Sequence, residues 1–182
     1  MSISTETRQV VSTGTWQLDP VHSSVGFEVN YMVGAFRGQF REVAAELVAG
    51  EQSITLSGTA QVASVDVKDE NLAAHLQSPD FFDAERHPEL SFTATRVEPG
   101  EAGVTFHGEL TIKGITQPVE LHGAVTDVVA DPYGRDRIGL TLSTTVDRTD
   151  FGLNWNTPLP NGEPALSNDV RLVAELSFVR EA

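Results

Sequence analysis

The chain has 182 residues, no cysteine and a formal net charge of −14, with a sequence pI of about 4.6. That length suits one domain with a sizeable core. So acidic a balance speaks against nucleic acid, whose phosphates need Lys and Arg to displace counterions, and against docking on anionic headgroups. Without cysteine there are no disulfides and no thiolate chemistry. No apolar run approaches a membrane span. The polar, Ser/Thr-rich opening lacks the apolar segment and cleavage site of a signal peptide. The expectation is a cytoplasmic protein with no stable membrane insertion.

Residues 1–13 read as a flexible arm and 14–182 as one domain. Trp16 and Leu18 alternate with polar neighbours and lead into Asp19-Pro20, a turn signal. Val25, Phe27, Val29 and Tyr31 share one face of a strand, with Gly26, Glu28 and Asn30 on the other. Gly34 and Gly38 interrupt the run over 33–40, which carries Phe36 and Phe40, and mark a bend or bulge. A weaker strand covers 42–49. Ile54, Leu56, Gly58, Ala60 and Val62 alternate with polar residues, and the parity switch to Val65 and Val67 predicts a kink near Ala63-Ser64. Residues 68–77 are the one helical piece: Leu72, Ala73 and Leu76 share a face, and Asp69 stands where a cap is needed.

After it come Phe81 and Phe82, between Pro79 and Pro88. Period-2 alternation cannot place both rings on one side. The stretch therefore reads as a loop folded over the end of a β structure, with its rings either packed as a satellite core or gating a mouth. Leu90, Phe92 and Ala94 open the next strand. Val104 to Ile112 and Val119 to Val125 form a hairpin about Gly114. After a loop at 131–134, Ile138, Leu140 and Leu142 lie on a strand. Residues 147–164 are irregular and hold Trp155, which has the same two readings as Phe81 and Phe82. Val170, Leu172, Ala174, Leu176 and Phe178 finish the chain.

No helix lies between most successive strands, so the sheet is antiparallel. About eight long strands with one apolar face each predict an all-β, up-and-down barrel with a short helix and loop near one end. A barrel of this size either fills itself or holds one small ligand. The inner face carries Phe27, Val29, Ile54, Leu56, Phe92, Phe106, Leu110, Leu121, Leu140, Leu172 and Phe178, none of them ionisable. Gly58, Ala60, Ala94, Gly108, Gly123 and Ala174 on the same face are small and predict a cavity.

The polar residues suggest no catalyst. A two-residue turn about Gly114 sets His107 across from His122 on the outside, near Glu109 and Glu120, as surface residues with no metal expected. His75 and His87 flank the lid loop, and His22 is a turn residue bonded to backbone. Asp147 and Asp150 surround Arg148, which predicts a local ion pair. No Ser-His-Asp elbow or glycine-rich phosphate loop occurs. Neither enzyme activity nor a cofactor is expected.

Several motifs occur in order: Trp16-Gln17-Leu18-Asp19-Pro20-Val21-His22-Ser23, Gly38-Gln39-Phe40, His75 to Asp83, Pro88 to Phe92, Gly108 to Val119, and Asp147-Arg148-Thr149-Asp150-Phe151-Gly152-Leu153. Together they resemble the YceI-like family, the lipocalin-like polyisoprenoid-binding proteins; Tyr31 stands where many members carry a histidine. The resemblance implies an extended barrel with a long apolar pore that takes a chain such as a polyisoprenoid (isoprenoid quinone or prenyl phosphate). On this reading the ligand-binding residues are Phe27, Val29, Tyr31, Phe36, Phe40, Leu56, Phe81, Phe82, Phe92, Phe106, Leu110, Leu121, Leu140, Trp155 and Leu172. Arg37, Arg41, Arg86 and Arg148 are the candidate cations for a headgroup. The expected role is a carrier or storage protein; the alternative is a stress-response or interaction scaffold with no ligand. Ala44, Val48, Val173 and Val179 on the outer face can support a homodimer.

Overall fold

The computed structural model describes residues 10–100 and 103–181. Its elements are β1 (Gly14–Leu18), β2 (Ser24–Tyr31), β3 (Gly34–Phe40), β4 (Val43–Ala49), β5 (Ile54–Gln61), β6 (Val65–Asp66), helix α1 (Glu70–Gln77), β7 (Glu89–Gly100), β8 (Gly103–Ile112), β9 (Ile115–Val125), β10 (Val129–Ala130), β11 (Asp136–Asp147) and β12 (Leu166–Arg180).

These segments build eight antiparallel staves. β1 and β2 follow one another along β12, from Trp16↔Arg180 to Leu18↔Phe178 and then from Ser24↔Glu175 to Tyr31↔Leu166. β4 and β3 lie along them in turn, and β5 and β6 along those. β7, β8 and β9 continue the wall. β11 pairs with β9 on one side and along the length of β12 on the other, which closes the barrel. Closure leaves no long open edge to be covered.

The first three staves break side by side. Pro20 has no N–H to give a ladder, and residues 20–22 form a 3-10 turn capped by the Asp19 carboxylate. Residues 62–64 make a second such turn, the predicted kink, where Val62 N–H donates to the Pro88 carbonyl. Across the break Gln61 N–H bonds the Glu42 carbonyl and Arg41 N–H that of Ser64. Helix α1 starts where the Asp69 carboxylate accepts from the Asn71 and Leu72 amides and stops at Ser78, before Pro79. Among the described residues no helix is long and apolar enough to cross a membrane.

The two ends differ. One is sealed by Val11, Trp16, Leu47, Phe106, Leu140 and Phe178, each exposed by 2% or less. There the Arg180 guanidinium lies 4.5 Å over the Trp16 ring, and Trp16 Nε1 donates to the Ser12 carbonyl. Of the expected arm, residues 1–9 fall outside those described, while Val10 and Val11 pack into this end. At the other end Leu76, Phe81, Phe82, Phe151, Leu153 and Leu166 join Phe27 and Phe40 in a second core.

The β8–β9 hairpin corrects one expectation. Its turn is Lys113-Gly114, both at positive φ (52° and 76°), as a tight hairpin turn requires. Placing the turn one residue later sets His107 opposite His122. The actual register sets His107 opposite Glu120 and His122 opposite Thr105. His107 is held between Glu98 (3.0 Å) and Glu120 (3.1 Å) on the outer wall.

Candidate functional site

The barrel holds two apolar chambers, each partly open. The middle one, of about 150 Å3, has walls from Leu18, Val25, Val43, Ala45, Leu56, Phe92, Leu110, Leu121 and Leu142. It lies behind the place where the β1–β4 ladder stops at Gln17↔Glu46 and the β2–β3 ladder begins at Val25↔Phe40. The second, of about 70 Å3, lies towards the lid and is walled by Phe27, Val29, Phe36, Phe81, Phe82, Phe151 and the side chain of Arg148. Phe40, Leu90, Ile112 and Leu172 border both chambers and form a diaphragm between them.

Rings crowd the lid end. Phe82 sits 5.7 Å from Phe40 and 6.3 Å from Phe27 between centroids. Phe81 stacks 5.4 Å from Trp155, and the His75 ring stands edge-on to both. The lid loop is fastened by its own backbone: Phe82 N–H donates to the Leu76 carbonyl, Asp83 N–H to Ser78 and Ala84 N–H to Gln77, each at 2.9 Å. Lys113 Nζ reaches across from the β8–β9 turn to the Pro79 carbonyl at 2.6 Å. Both Phe81 and Phe82 are buried and both border the smaller chamber.

The inner-face glycines do not all leave space. A Cβ on Gly108 would lie 2.8 Å from the Phe92 ring and 2.4 Å from the Thr93 carbonyl oxygen; one on Gly38 would lie 2.5 Å from the Phe27 ring. Cross-strand aromatics already cover these positions. Gly58, Ala60 and Ala174 do border the middle chamber. The small residues therefore open room beside Gly58, Ala60 and Ala174 and not along the whole inner face.

Of the residues expected to hold ligand, Leu56, Phe92, Leu110 and Leu121 face the middle chamber, Phe27, Val29, Phe36, Phe81 and Phe82 the lid chamber, and Phe40 and Leu172 both. Four face neither. Tyr31 packs edge-on to Phe36, Phe106 and Leu140 belong to the sealed end, and Trp155 stands behind Phe81. Leu90 and Ile112 were legible from strand parity and absent from the expected set; Phe151, on an irregular segment, gave no periodic signal.

The expected ion pair at Arg148 does not form. The Asp147 carboxylate instead accepts from the Thr149 hydroxyl and amide, which hold its pKa below the usual carboxylate value. Arg148 is 5% exposed and donates to the carbonyls of Leu153 (2.6 Å), Trp155 (2.8 Å) and Ser167 (2.9 Å). Burial lowers its pKa. Arg37 and Arg41 are exposed and paired with Glu28 and Asp66, and Arg86 is exposed beside Asp83. His22 lies in the expected turn, its backbone N–H donating to the Asp19 carbonyl at 3.3 Å, and its ring bonds the Asp19 carboxylate at 2.7 Å; Ser23 Oγ donates to the same carbonyl.

The profile of the YceI-like domain matches residues 16–178. The chain belongs to the YceI-like family. A UPF0312 protein of Staphylococcus aureus is 32% identical over 166 residues, covering 88% of this YceI-like chain and 94% of its own. The YCEI protein of Campylobacter jejuni superposes with a TM-score of 0.69 at 27% identity, covering 80% of this chain and 85% of its own. A polyisoprenoid binding domain from Saccharophagus degradans shares the YceI-like fold at 11% identity, with a TM-score of 0.67 over 91% of this chain and 98% of its own.

Proposed function

We propose that this barrel takes a long apolar chain, of the polyisoprenoid class, into its two chambers and carries or stores it. The observation that carries the reading is the pair of apolar chambers aligned between a sealed end and an aromatic lid. The Saccharophagus degradans domain, a polyisoprenoid binding domain of the same fold, supports the ligand class. The reading is of binding and not of catalysis.

Size sets the condition. An apolar cavity of about 150 Å3 takes a molecule the size of benzene, so the middle chamber accepts roughly one isoprene unit as it stands. A longer chain must turn Phe40, Leu90, Ile112 and Leu172 aside. Each methylene taken from water contributes about 0.8 kcal/mol, falling towards about 0.3 kcal/mol per atom for large ligands. That gain has to exceed the cost of moving the diaphragm.

A second reading, an interaction scaffold with a self-filled core, is favoured by the rings of Phe27 and Phe92 over Gly38 and Gly108. Mass spectrometry of lipid extracted from natively expressed protein separates the two. The carrier reading expects a prenyl lipid in the extract and a rise in Tm when it is returned to stripped protein. An empty extract, with no Tm response to prenyl alcohols, leaves the scaffold.

A further inference from the structure

We infer that the Met32-Val33 hairpin tip docks the lid end of the barrel on a net-neutral lipid bilayer surface. The inference concerns an outer surface and does not depend on what the barrel holds.

β2 and β3 join through a two-residue turn, since Tyr31 pairs with Gly34 and leaves Met32 and Val33 between them. Met32 is at φ 50°. Turns of this kind favour Gly, Asn or Asp, which tolerate a positive φ. Here the turn carries two large apolar side chains instead, 56% and 106% exposed. A Cβ built on the adjacent Gly34 would meet no atom within 4 Å, so the tip projects into open space. The tip belongs to the lid end. Tyr31 and Phe36 flank it with rings 6.4 Å apart, and both Phe36 and Leu166, the cross-strand partner of Tyr31, wall the smaller chamber.

Charge is missing around the tip. Residues 29–36 hold no Asp, Glu, Lys or Arg, and neither do residues 153–162, in a chain where 21% of residues are charged. Ala165 joins the two stretches: its carbonyl accepts from Met32 N–H at 2.8 Å, and its own N–H donates to the Thr157 carbonyl at 2.9 Å. Trp155, on the second stretch, stands half-buried against Phe81 of the lid loop. Indole rings favour the headgroup level of a bilayer. A second exposed apolar group, Val128, Val129 and Tyr133, lies by the sealed end, in a stretch that carries Asp127, Asp131, Arg135 and Asp136.

Shape and charge choose the occupant. Two side chains at a turn fall well short of the roughly 800 Å2 per partner that a stable dimer buries. A projecting apolar tip with an uncharged collar suits a bilayer interface, where binding scales with the apolar area buried. The net charge of −14, with Asp80 and Glu85 exposed on the lid loop, sets the protein against an anionic surface. A neutral surface remains, and a dock of two side chains on it is weak and reversible.

Vesicle flotation of the full chain tests this. Wild type should float with phosphatidylcholine vesicles, and less with vesicles of equal parts phosphatidylcholine and phosphatidylglycerol. Met32→Ser combined with Val33→Ser should lower the partition by about tenfold or more. Val129→Ser combined with Tyr133→Ser should keep the wild-type value. Val33→Trp should add emission that brominated phosphatidylcholine quenches. Analytical ultracentrifugation without lipid should find the same mass for wild type and the Met32→Ser, Val33→Ser protein. No flotation of wild type with phosphatidylcholine, a partition unmoved by the tip substitutions, stronger binding to the anionic vesicles, or unquenched Val33→Trp emission overturns the inference. A wild-type dimer that the tip substitutions split overturns it as well and assigns the tip to a second copy. Each of these results leaves the apolar-ligand reading standing.

Discussion

Asp19 and Arg137 are 118 residues apart in the chain and 2.8 Å apart in the barrel. Arg137 also donates to Asp131 at 2.9 Å, so one guanidinium ties the break between β1 and β2 to the loop before β11. The Arg137 hydrogen bond, then the one from His22, lowers the Asp19 pKa from 3.8 to about 2. Asp131 is lowered as well, first by the Arg135 amide and then by Arg137. A carboxylate depressed on folding contributes stability that is fully present above its ordinary pKa and lost as pH falls through the folded one. Arg137→Gln should therefore be less stable than wild type at neutral pH, and the difference should shrink as pH drops from about 4 to about 2. Urea titrations at stepped pH read this directly. A difference that stays constant over that window would mean the pair contributes no linkage.

Phe40 is the largest member of the diaphragm and is 6% exposed. Its ring packs on Phe27 and Phe82 and borders both chambers. Phe40→Ala should cost about 3–5 kcal/mol of stability, as buried Phe truncations do. It should also join the chambers. Affinity for prenyl alcohols of two, three and four units should then climb more steeply with length than in wild type. An unchanged length dependence would show that the chain does not pass this point.

The lid makes a kinetic claim. The Phe82 ring caps the smaller chamber, but the loop's backbone bonds to Leu76, Ser78 and Gln77 do not involve that ring. Phe82→Ala should keep the loop, lose about 3–5 kcal/mol of stability and raise the dissociation rate of bound ligand more than it changes the association rate. Stopped-flow displacement measures the release. Dissociation at the wild-type rate would place the passage elsewhere, for instance at the gap between the β1–β4 and β2–β3 ladders.

Alternation made the staves legible, because a strand with one buried face must place apolar residues at every second position. The kink at 62–64 showed as a parity switch, and the helix showed its cap at Asp69. Three features were less visible. The first is the hairpin register: positive φ at Lys113 as well as Gly114 shifts the turn by one residue and moves His107 from His122 to Glu120. The second is the fate of the glycines. A missing side chain looks the same in sequence whether it leaves a void, as beside Gly58, or is covered by a ring from the next strand, as at Gly108. The third is Arg148, which reads as an ion pair from its neighbours. Its carbonyl partners come from residues 153, 155 and 167, which no local pattern brings together.

The glycine account yields an ordered series. On Gly108 an added methyl meets backbone, the Thr93 oxygen at 2.4 Å and Ala94 Cα at 2.9 Å, which cannot swing away. On Gly38 it meets side chains, the Phe27 ring at 2.5 Å and Val67 at 2.8 Å. On Gly58 the nearest atoms stand at 3.4 Å, an ordinary contact. Gly108→Ala should therefore be the most destabilised, by about 1–3 kcal/mol from overpacking. Gly38→Ala should fall between and weaken ligand binding, because its methyl pushes Phe27 into the lid chamber. Gly58→Ala should match wild type or gain up to about 1 kcal/mol through a less flexible unfolded chain, while taking one methyl's room from the middle chamber. Urea midpoints of the three variants fix the order. A Gly108→Ala protein as stable as wild type would show that the β7 backbone at Thr93 and Ala94 does not crowd that position, and would restore there the room that the small residues suggest.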